Sequence, residues 1–455
     1  MAFNNLPAAI QSVIQAGFLE HRFQMPLKAK LGFRDIADAE DFTANIGETI
    51  TKTRTGLLPA ITTAMSPAAN SDITSGLTPQ NYSVEQYILQ IAQDAANMQL
   101  NIVTQKVAVS DLFLRNAYNL GEQAFRSVDT LAQQALFNTY MGGNTRVRTT
   151  LGSPALTIAV DDVRGFQTTL NSAGQVVAVS AGNPVNVTVG SNVYSLTGFT
   201  VDGSNVSTTA SAGGTSGTLT FSGNVSVADG TALNGVVSAI APLVLRPSTT
   251  AANIMAGTTA AISAANDINN AKLTMQMILQ AKATLSANGV PVADGSGMYN
   301  LYLDPLQATG LYSDPAFQQF FRGQVTSEEY RKGVVAELLG VRLQETNLNP
   351  VQTLTGVGVV RRAVLCGQGA LVEGKFTNDA YAEALSETDA DESVTIVDGI
   401  AHVTRDPIDA LKQVVTQTWS YIGGFVVPTD VTANPSTIPT ASNSAYKRAV
   451  LLESL

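Results

Sequence analysis

The chain has 455 residues and a formal net charge of −10; charged residues make up only 14% of it, while hydrophobic residues make up 45%. This balance argues against a protein that grips nucleic acid, because such proteins carry a basic patch or arm and no run of Lys or Arg occurs here. The one cysteine, Cys366, excludes an intrachain disulfide. No stretch approaches the ~18 apolar residues of a membrane span, and the N-terminus lacks signal-peptide features. These features predict a soluble protein made and used inside a cell.

The N-terminal part is predicted to form one helix and a long two-stranded arm. Apolar residues at helical spacing indicate a short amphipathic helix over residues 4–24. Alternation from Ile50 onward and again over residues 82–93 indicates two strands, and residues 66–80 have the composition of a loop. Residues 46–93 would thus form an arm with a polar tip. It needs a surface to lie against, because an isolated two-stranded hairpin is marginal in water.

The strongest helix signal in the chain follows the arm. Ser110 is placed to cap this helix, and Gly142-Gly143 is a C-terminal stop signal. About 30 residues at 1.5 Å each give a rod of roughly 45 Å, which is longer than most domain cores. Its apolar stripe, at steps of three and four, consists of Ala117, Gly121, Ala124, Val128, Leu131 and Ala135.

Composition then changes abruptly between Leu151 and Ile240. This segment has no lysine, and short runs rich in Val and Thr alternate with Gly, Asn and Ser. Several short strands with such turns indicate a small all-β unit. Because the unit begins and ends between helical segments, we interpret it as an insertion.

Helices and strands alternate in the C-terminal part. Asp267 is expected to cap a helix that Gly289 stops, and Asp398-Gly399 is expected to be the turn of a hairpin. Four further segments are predicted as strands: AELLGVRLQETNLNP, RRAVLCGQGALVEG, QTWSYIGGFVV and AYKRAVLLE. The apolar face of the predicted helix comprises Leu273, Met277, Ile278 and Ala281.

Three Asp-Pro pairs are the most conspicuous candidates for chemistry. Asp304-Pro305 and Asp314-Pro315 stand close together, and paired carboxylates can act as acid and base or hold a metal. They can also start helices, since proline is favourable at the first helical position and the preceding Asp accepts hydrogen bonds from the first turn. The third pair, Asp406-Pro407, also precedes a helix-like segment, and this repetition favours helix caps over a catalytic pair.

Other candidates for a reactive or ligand-binding residue lack companions. His21 and His402 have no Cys or His nearby, and His402 alternates within a strand pattern. Cys366 has apolar neighbours, which favours a buried thiol over a nucleophile. The acidic run 387–392 has no calcium-loop spacing, and Trp419 is predicted to be a core or interface residue. The sequence thus predicts no catalytic residue, no cofactor and no metal site.

The order of the parts resembles a known family. Two stretches carry the likeness: DITSGLTPQNYSVEQYILQIAQ leading through VTQKVAVSD into the long helix, and LQAKATLSANGVPVADGSGMYNLYLDP followed by FRGQVTSEEYRKGVVAELLGVRLQETN and AVLCGQGAL. They are similar to the major capsid protein of tailed bacteriophages, which has the Hong Kong 97-type fold. The resemblance covers about 350 residues and leaves out 148–250.

That resemblance implies an α+β capsid fold with an added all-β domain. The implied division is an N-terminal arm at 1–45, an extended arm or E-loop with its return at 46–108, the spine helix of the P-domain at 109–147, the inserted domain at 148–250, an A-domain at 251–385, and C-terminal strands completing the P- and A-domains at 386–455.

The resemblance also implies a function and partners. The chain would be a non-enzymatic subunit, made in the host cytoplasm, that forms hexamers and pentamers in the icosahedral shell of a virion. Portal and scaffolding proteins, and a decoration protein, would be its partners, and the shell would enclose DNA without sequence-specific binding and without a membrane. Two alternatives remain open: an adhesion protein acting through the β segment, and a hydrolase using Asp304 or Asp314.

Overall fold

The structure is a computed structural model of the chain. It describes residues 23, 32–42, 49–55, 84–101, 109–170, 176–202, 215–247, 254–256, 272–293, 297–322, 337–354, 358–377, 392–405, 407, 410–411, 413–429 and 446–455. Several expectations lie outside these residues: most of the 4–24 helix, the 66–80 loop, His21, Asp267, Asp406 and nearly all of the acidic run.

Helices and strands are both abundant, which confirms the α+β class. A short 3₁₀ helix spans Phe33–Ile36, and the α-helices are α1 (Val109–Tyr140), α2 (Met275–Ala287), α3 (Pro305–Tyr312) and α4 (Pro315–Arg322). The strands are β1 (Ala37–Phe42), β2 (Thr49–Thr55), β3 (Val84–Gln90), β4 (Ala92–Asn101), β5 (Asn144–Arg146), β6 (Ala155–Val160), β7 (Thr168–Leu170), β8 (Val176–Ala178), β9 (Val185–Val189), β10 (Asn192–Val201), β11 (Gly217–Val225), β12 (Gly235–Ser238), β13 (Val244–Pro247), β14 (Ile254–Ala256), β15 (Tyr299–Leu303), β16 (Glu337–Leu338), β17 (Val341–Glu345), β18 (Val351–Leu354), β19 (Gly358–Cys366), β20 (Leu371–Phe376), β21 (Glu392–Val397), β22 (Ile400–Arg405), β23 (Val414–Val426) and β24 (Ala449–Ser454).

The chain divides into two compact units. Unit 1 comprises Met1–Thr51, Ile88–Ala135 and Leu371–Val426. Unit 2 comprises Lys52–Tyr87, Leu136–Ala370 and Val427–Leu455.

Unit 1 is built on one six-stranded sheet. Its order is β1-β20-β23-β22-β21, with β4 also paired to β23. The predicted hairpin is confirmed, because Asp398 and Gly399 both have positive φ, as a tight two-residue turn requires. Helix α1 packs on this sheet through a core of Phe23, Leu120, Ala124, Val128, Ile400, Trp419 and Tyr421, which includes Ala124 and Val128 of the predicted stripe.

The long helix is confirmed at 32 residues, with a small difference at its start. It begins at Val109, so Ser110 lies inside the first turn and is not the N-cap. Its end agrees with the prediction, since α1 stops at Tyr140 and Gly143 has φ +74°, a left-handed conformation that favours glycine.

The two-stranded arm is confirmed where it is described. Strands β2 and β3 form a separate two-stranded sheet. The strand predicted over 82–93 is interrupted at Ile91, and β4 continues from Ala92 to pair with β23 over ten residue pairs. The return of the arm therefore belongs to the sheet of unit 1.

Within unit 2, the predicted β segment is a sheet that closes on itself, here called the closed sheet (residues 144–238). The strand order is β5-β12-β9-β10-β11-β6. Val147 bridges Val160, and Arg148 N–H donates to the Ala159 carbonyl at 2.8 Å, which joins β5 to β6 and completes the ring. Closure removes the unpaired edges that would otherwise invite aggregation. Its interior is filled mainly by Val147, Ile158, Val160, Val163, Phe166, Val185, Val187, Val189, Leu196, Leu219, Phe221, Val225 and Val236.

Unit 2 also contains an eight-stranded sheet in the order β14-β13-β24-β19-β15-β17-β16, with β18 paired to β19. Helix α2 packs against it with the predicted face buried. Thr274 is the N-cap of α2, and its hydroxyl accepts the Met277 N–H at 3.4 Å, so the cap lies later than the expected Asp267. Gly289, with φ +68°, ends the helix as predicted.

Strand pairing cuts across two of the predicted divisions. Strand β13 falls inside 148–250 but pairs with β24 in the eight-stranded sheet. Strand β20 falls inside 251–385 but pairs with β1 and β23 in unit 1. Sequence proximity could not show this, because these pairings join residues more than 40 positions apart.

Candidate functional site

The first Asp-Pro pair is a helix cap. Asp304 Oδ1 accepts the Leu306 N–H at 2.9 Å, and the Gln307 side chain accepts the Asp304 N–H at 3.2 Å, which together form a capping box. Pro305 occupies the first position of α3. The Arg361 guanidinium lies 3.1 Å from the same carboxylate. The predicted role of Asp304 is therefore confirmed.

The second Asp-Pro pair serves two helices at once. Asp314 Oδ1 accepts the Ala316 N–H at 3.1 Å at the start of α4. Its Oδ2 accepts the N–H of Met275, the first residue of α2, at 2.8 Å. One carboxylate thus satisfies orphan donors at two helix N-termini, where a negative charge is also favourable. Neither aspartate supports the hydrolase alternative, because both carboxylates accept capping hydrogen bonds.

The remaining candidates for chemistry are buried strand residues. His402 lies in β22 with its ring 4.7 Å from that of Phe23, and burial lowers its pKa to about 4. Cys366 ends β19, and burial raises the pKa of its thiol, so the thiolate is disfavoured. Trp419 is 3% exposed, and its indole N–H donates to Gln123 Oε1 at 3.2 Å. Within the described ranges, no group of three His, Cys, Asp or Glu side chains could hold a metal ion.

The two-stranded arm of β2 and β3 is a candidate interaction surface. On β2 the side chains of Thr49, Thr51 and Thr53 are exposed, and on β3 Ile88 is 59% exposed. The base of the arm is anchored, because Leu89 is buried against Gly374 of β20, where a Cβ would overlap the leucine. The described part of the arm therefore has a fixed base at Leu89 and an exposed apolar side chain, Ile88, beside it.

A buried polar group anchors the N-terminal segment on unit 1. Arg34 Nε lies 3.0 Å from both oxygens of Glu373, and its Nη2 lies 2.7 Å from Oε1. Tyr421 donates its hydroxyl to the same carboxylate at 2.9 Å. Arg34 also reaches Asp398 at the hairpin turn, with Nη1 3.1 Å from Oδ2. This bidentate pairing holds the segment that leads into β1 against β20.

Asp129 of α1 forms a second anchor for the same segment. Its side chain is buried and accepts the Arg34 N–H at 3.1 Å. Burial raises the pKa of Asp129 to about 6, and nearby Asp35 adds to the rise while the backbone donors and Arg34 oppose it. Gly32 packs directly on this carboxylate, so a larger residue would displace it. Neither anchor has a local sequence signal, because the partners lie 95 and 339 residues from Arg34.

A third cluster, here called the arginine cluster, lies in unit 2. Arg146, Arg246 and Arg362 converge on Glu453, and all four side chains are at most 6% exposed. Arg246 Nε is 2.7 Å and Arg362 Nε 2.9 Å from the carboxylate oxygens. No local sequence pattern marks this cluster, because its members lie in four separate strands.

Comparison with known proteins finds similarity at the level of structure. No protein-family model matches the sequence, and no curated protein matches it. The chain is similar to the capsid of Ralstonia phage GP4, with 12% identity, a TM-score of 0.48, and coverage of 92% of this chain and 87% of that one. It is similar to the cyanophage P-SCSP1u capsid at 12% identity and a TM-score of 0.43, covering 93% and 88%. It is similar to the cyanophage Pam1 capsid at 14% identity and a TM-score of 0.43, covering 95% and 91%.

The described parts themselves follow the order that the Hong Kong 97-type resemblance implies. An N-terminal segment is followed by the two-stranded arm, then the long helix, then the sheets, and the last strands return to both units. None of the described helices combines the length and apolar character that crossing a lipid bilayer requires.

Proposed function

We propose that this chain is the major capsid protein of a tailed bacteriophage, a structural subunit that assembles with copies of itself into the icosahedral shell around the genome. The observation that carries the proposal is the arm formed by β2 and β3. It is a separate two-stranded sheet with exposed Ile88 and a buried base at Leu89. Such a ribbon is marginal alone in water, so a neighbouring copy supplies its missing surface.

The energetics suit repeated assembly. Burying ~1,000 Å² of apolar area per neighbour is worth a gross term of roughly 25 kcal/mol at about 25 cal/mol/Å². Much of this is offset by the ordering of the arm and the loss of rigid-body freedom. The surplus at one contact is small, and a closed shell multiplies it over many contacts.

The proposal includes a non-enzymatic role in the virion and several partners. Copies of the chain form hexamers and pentamers, a portal protein occupies one vertex, and scaffolding and decoration proteins contribute to assembly. The acidic balance of −10 supports a container, because a basic wall would hold packed DNA through counterion release and hinder its exit.

Particle formation tests the proposal directly. The purified chain, examined by negative-stain microscopy and sedimentation velocity, is expected to form closed shells or capsomers. A variant that replaces residues 55–85 with a short Gly/Ser turn is expected to stay soluble and to form no shells. Closed particles from this variant would contradict the role of the arm.

A milder variant controls for misfolding. Ile88→Ser removes an exposed apolar side chain from the arm, and burial of such a side chain is worth about 1.5–3 kcal/mol. It should raise the protein concentration needed for assembly about tenfold or more without changing the melting temperature of the unassembled subunit. Leu411→Ser, at a residue that is 73% exposed, is the matched control and should assemble normally.

A further inference from the structure

His402 is a buried histidine whose two ring nitrogens have no hydrogen-bond partner among the residues that the structure describes. It lies in β22 of unit 1 and is only 1% exposed. The hydroxyl of Thr404, two residues further along the same face of β22, is buried and also lacks a partner in the described part of the chain. Buried polar groups without partners are rare in native proteins and cost free energy, so this pair requires an explanation.

Phe23 of the N-terminal segment covers the imidazole ring of His402. The two ring centroids lie 4.7 Å apart, with an angle of 34° between the ring planes, and Phe23 is completely buried. Within the sheet, His402 is directly opposite Thr395 of β21 and Trp419 of β23. Phe23 and Trp419 belong to the apolar core to which α1 contributes Leu120. The neighbours that enclose the imidazole ring are therefore uncharged side chains.

Titratable side chains occur on the elements packed around His402, and they are engaged with other groups or lie at the border of this core. Tyr421 of β23 donates its hydroxyl to Glu373 at 2.9 Å, and Asp129 of α1 accepts the Arg34 N–H at 3.1 Å. Others border the open groove beside Trp419 or lie at strand ends: Asp94, Glu122, Arg126, Glu392 and Arg405. Burial alone lowers the pKa of His402 to about 4, so the ring is neutral at pH 7.

We propose that the contact between Phe23 and His402 is a pH-sensitive latch, which opens when the imidazole ring gains a proton. An imidazolium ion carries two N–H donors and a full charge, and the described core supplies it with neither an acceptor nor a counter-charge. Departure of Phe23 admits water to both nitrogens and removes that cost, while β22 and β23 keep their pairing. Because the open form relieves the buried charge without unfolding the sheet, acid costs the subunit at most the free energy of this local opening.

The sign of the pH dependence follows from the protonation of the two forms. The pKa of His402 is about 4 in the closed form and approaches 6.5 when the ring is in water. The open form therefore binds more protons between these values, so the latch is closed above about pH 6.5 and opens as the pH falls. At about pH 4 the ratio of open to closed form should be roughly a hundred times its value at neutral pH. Asp129 has the opposite dependence, since its buried anion is the costly form, so acid does not weaken the anchor at Arg34.

Trp419 is the only tryptophan of the chain and reports on the latch. It lies opposite His402 on the neighbouring strand, and an imidazolium ion quenches indole fluorescence more strongly than a neutral imidazole does. Titration of the unassembled wild-type subunit from about pH 8 to about pH 4 should show quenching with a midpoint below about 5.5, because burial opposes protonation. This titration requires no variant, and a midpoint near 6.5 would overturn the proposal.

Variants of the two rings assign the quenching to the latch. Phe23→Ala uncovers the imidazole ring, so the midpoint should rise by about one pH unit or more toward 6.5. His402→Phe removes the group that gains the proton and should abolish the quenching. His21→Gln removes the only other histidine and should keep both the quenching and the wild-type midpoint. An unchanged midpoint in Phe23→Ala, quenching that survives in His402→Phe, or its loss in His21→Gln would each overturn the proposal.

Acid proteolysis locates the opening at Phe23 by a second method. Pepsin cleaves beside phenylalanine in acid, and a buried ring protects its peptide bonds until it leaves the core. At about pH 4, wild type should be cut between Phe23 and Gln24 at least about tenfold faster than His402→Phe, as measured by mass spectrometry. The bonds at Phe113, which is buried under α1 in both proteins, should resist cleavage and serve as the internal control. Equal rates at Phe23 would contradict the latch, and neither result bears on shell formation, so this proposal and the proposed function fail separately.

Discussion

The buried Asp129 carboxylate holds the N-terminal segment to α1 at a cost that depends on pH. Its hydrogen bond to the Arg34 N–H is made most easily by an anion, yet burial favours the neutral acid. The pKa of about 6 shows that the effect of burial is larger than that of the hydrogen bonds. At neutral pH the group is charged in a poorly hydrated place, so the anchor is weaker than its geometry alone indicates.

Asp129→Asn should therefore remove a pH dependence. The folded pKa of about 6 lies above the unfolded value near 3.8, so the folded state binds more protons between these values. The stabilising contribution is complete below about pH 4 and is lost as pH rises through 6. Deprotonation of Asp129 should therefore lower the free energy of unfolding of wild type at pH 7.5 by about 3 kcal/mol relative to acid pH. This figure corresponds to about 1.4 kcal/mol per pKa unit.

Urea unfolding of the subunit at pH 4.5 and 7.5 checks this expectation. Asp129→Asn keeps an acceptor oxygen for Arg34, so it should be more stable than wild type at pH 7.5 and should show a flatter pH profile. Asp41→Asn, at an exposed position of β1, is the control and should follow wild type. A steeper loss of stability for Asp129→Asn at high pH would contradict the argument.

Substitution of Asp314 should destabilise the subunit more than the loss of an ordinary N-cap does. Loss of one N-cap costs about 1 kcal/mol, and Asp314→Ala removes acceptors from both α2 and α4. We expect a loss of about 2 kcal/mol for Ala and about half of that for Asn, whose single oxygen can serve only one helix. Ser313→Ala, which removes a hydroxyl bonded to the Gly310 carbonyl, should cost less than 1 kcal/mol. Chemical denaturation of all three variants provides the comparison, and equal costs for Asn and Ala would indicate a role for the charge itself.

At the scale of elements, the end of α1 packs against the loop that follows β6. Gly143 N–H donates to the Arg164 carbonyl at 2.7 Å, and the backbone of Gly165 lies directly on Gly142 and Gly143. Gly165 also has φ +78°, which a residue with a Cβ adopts at a cost. Gly142-Gly143 is thus both the stop signal of the helix and the surface on which the closed sheet begins.

Gly165→Ala should disrupt this junction. The new Cβ would collide with the Gly142–Gly143 backbone, and overpacking together with the left-handed φ should cost about 2–4 kcal/mol. Gly152→Ala, where a Cβ meets only open space, should leave the melting temperature of the subunit nearly unchanged. Similar melting temperatures for the two variants would contradict this prediction. They would show that the backbone at the junction can shift to accommodate a new Cβ more easily than a packed interior can.

Elements with local signals were predictable, and contacts between distant residues were not. The period of the α1 stripe, the Gly stops and the caps at Asp304 and Asp314 depend on neighbours in sequence, and the structure confirms them. Closure of the sheet through Val147 and Val160, the Arg34–Glu373 pair and the arginine cluster depend on tertiary folding. The cap of α2 was misplaced because Thr274, like Asp267, has a side-chain oxygen that can serve as a cap.

At the scale of the whole molecule, the closed sheet has the properties of a self-sufficient module. It has its own apolar interior, its six described strands from β5 to β6 close into a ring, and its two ends lie side by side, since the Ser238 N–H donates to the Gly143 carbonyl at 2.8 Å. A module attached in this way can be added without altering the packing of its host. Because DNA crowds the inner wall of a filled shell, we propose that it projects outward.

The structure also shows where the module can be cut. Val147 N–H donates to the Asn234 carbonyl at 2.9 Å, and Leu233 N–H donates to Val147 at 2.8 Å. A Gly-Ser-Gly linker replacing residues 149–232 would therefore join two segments that are already adjacent. The cut retains Arg146 and the β5–β12 pair, so the arginine cluster survives.

This replacement is expected to leave assembly intact. It includes Val147→Thr and Val236→Thr, which make polar two interior side chains that the deletion would expose to solvent. If the module is an exterior addition, the variant should form shells of wild-type diameter at wild-type yield, and a density map should lack one projection per subunit. Shells that fail to close, or that break at lower temperature in a light-scattering melt, would identify the closed sheet as a clamp between copies. Density for the module on the inner wall of wild-type shells would refute the outward placement.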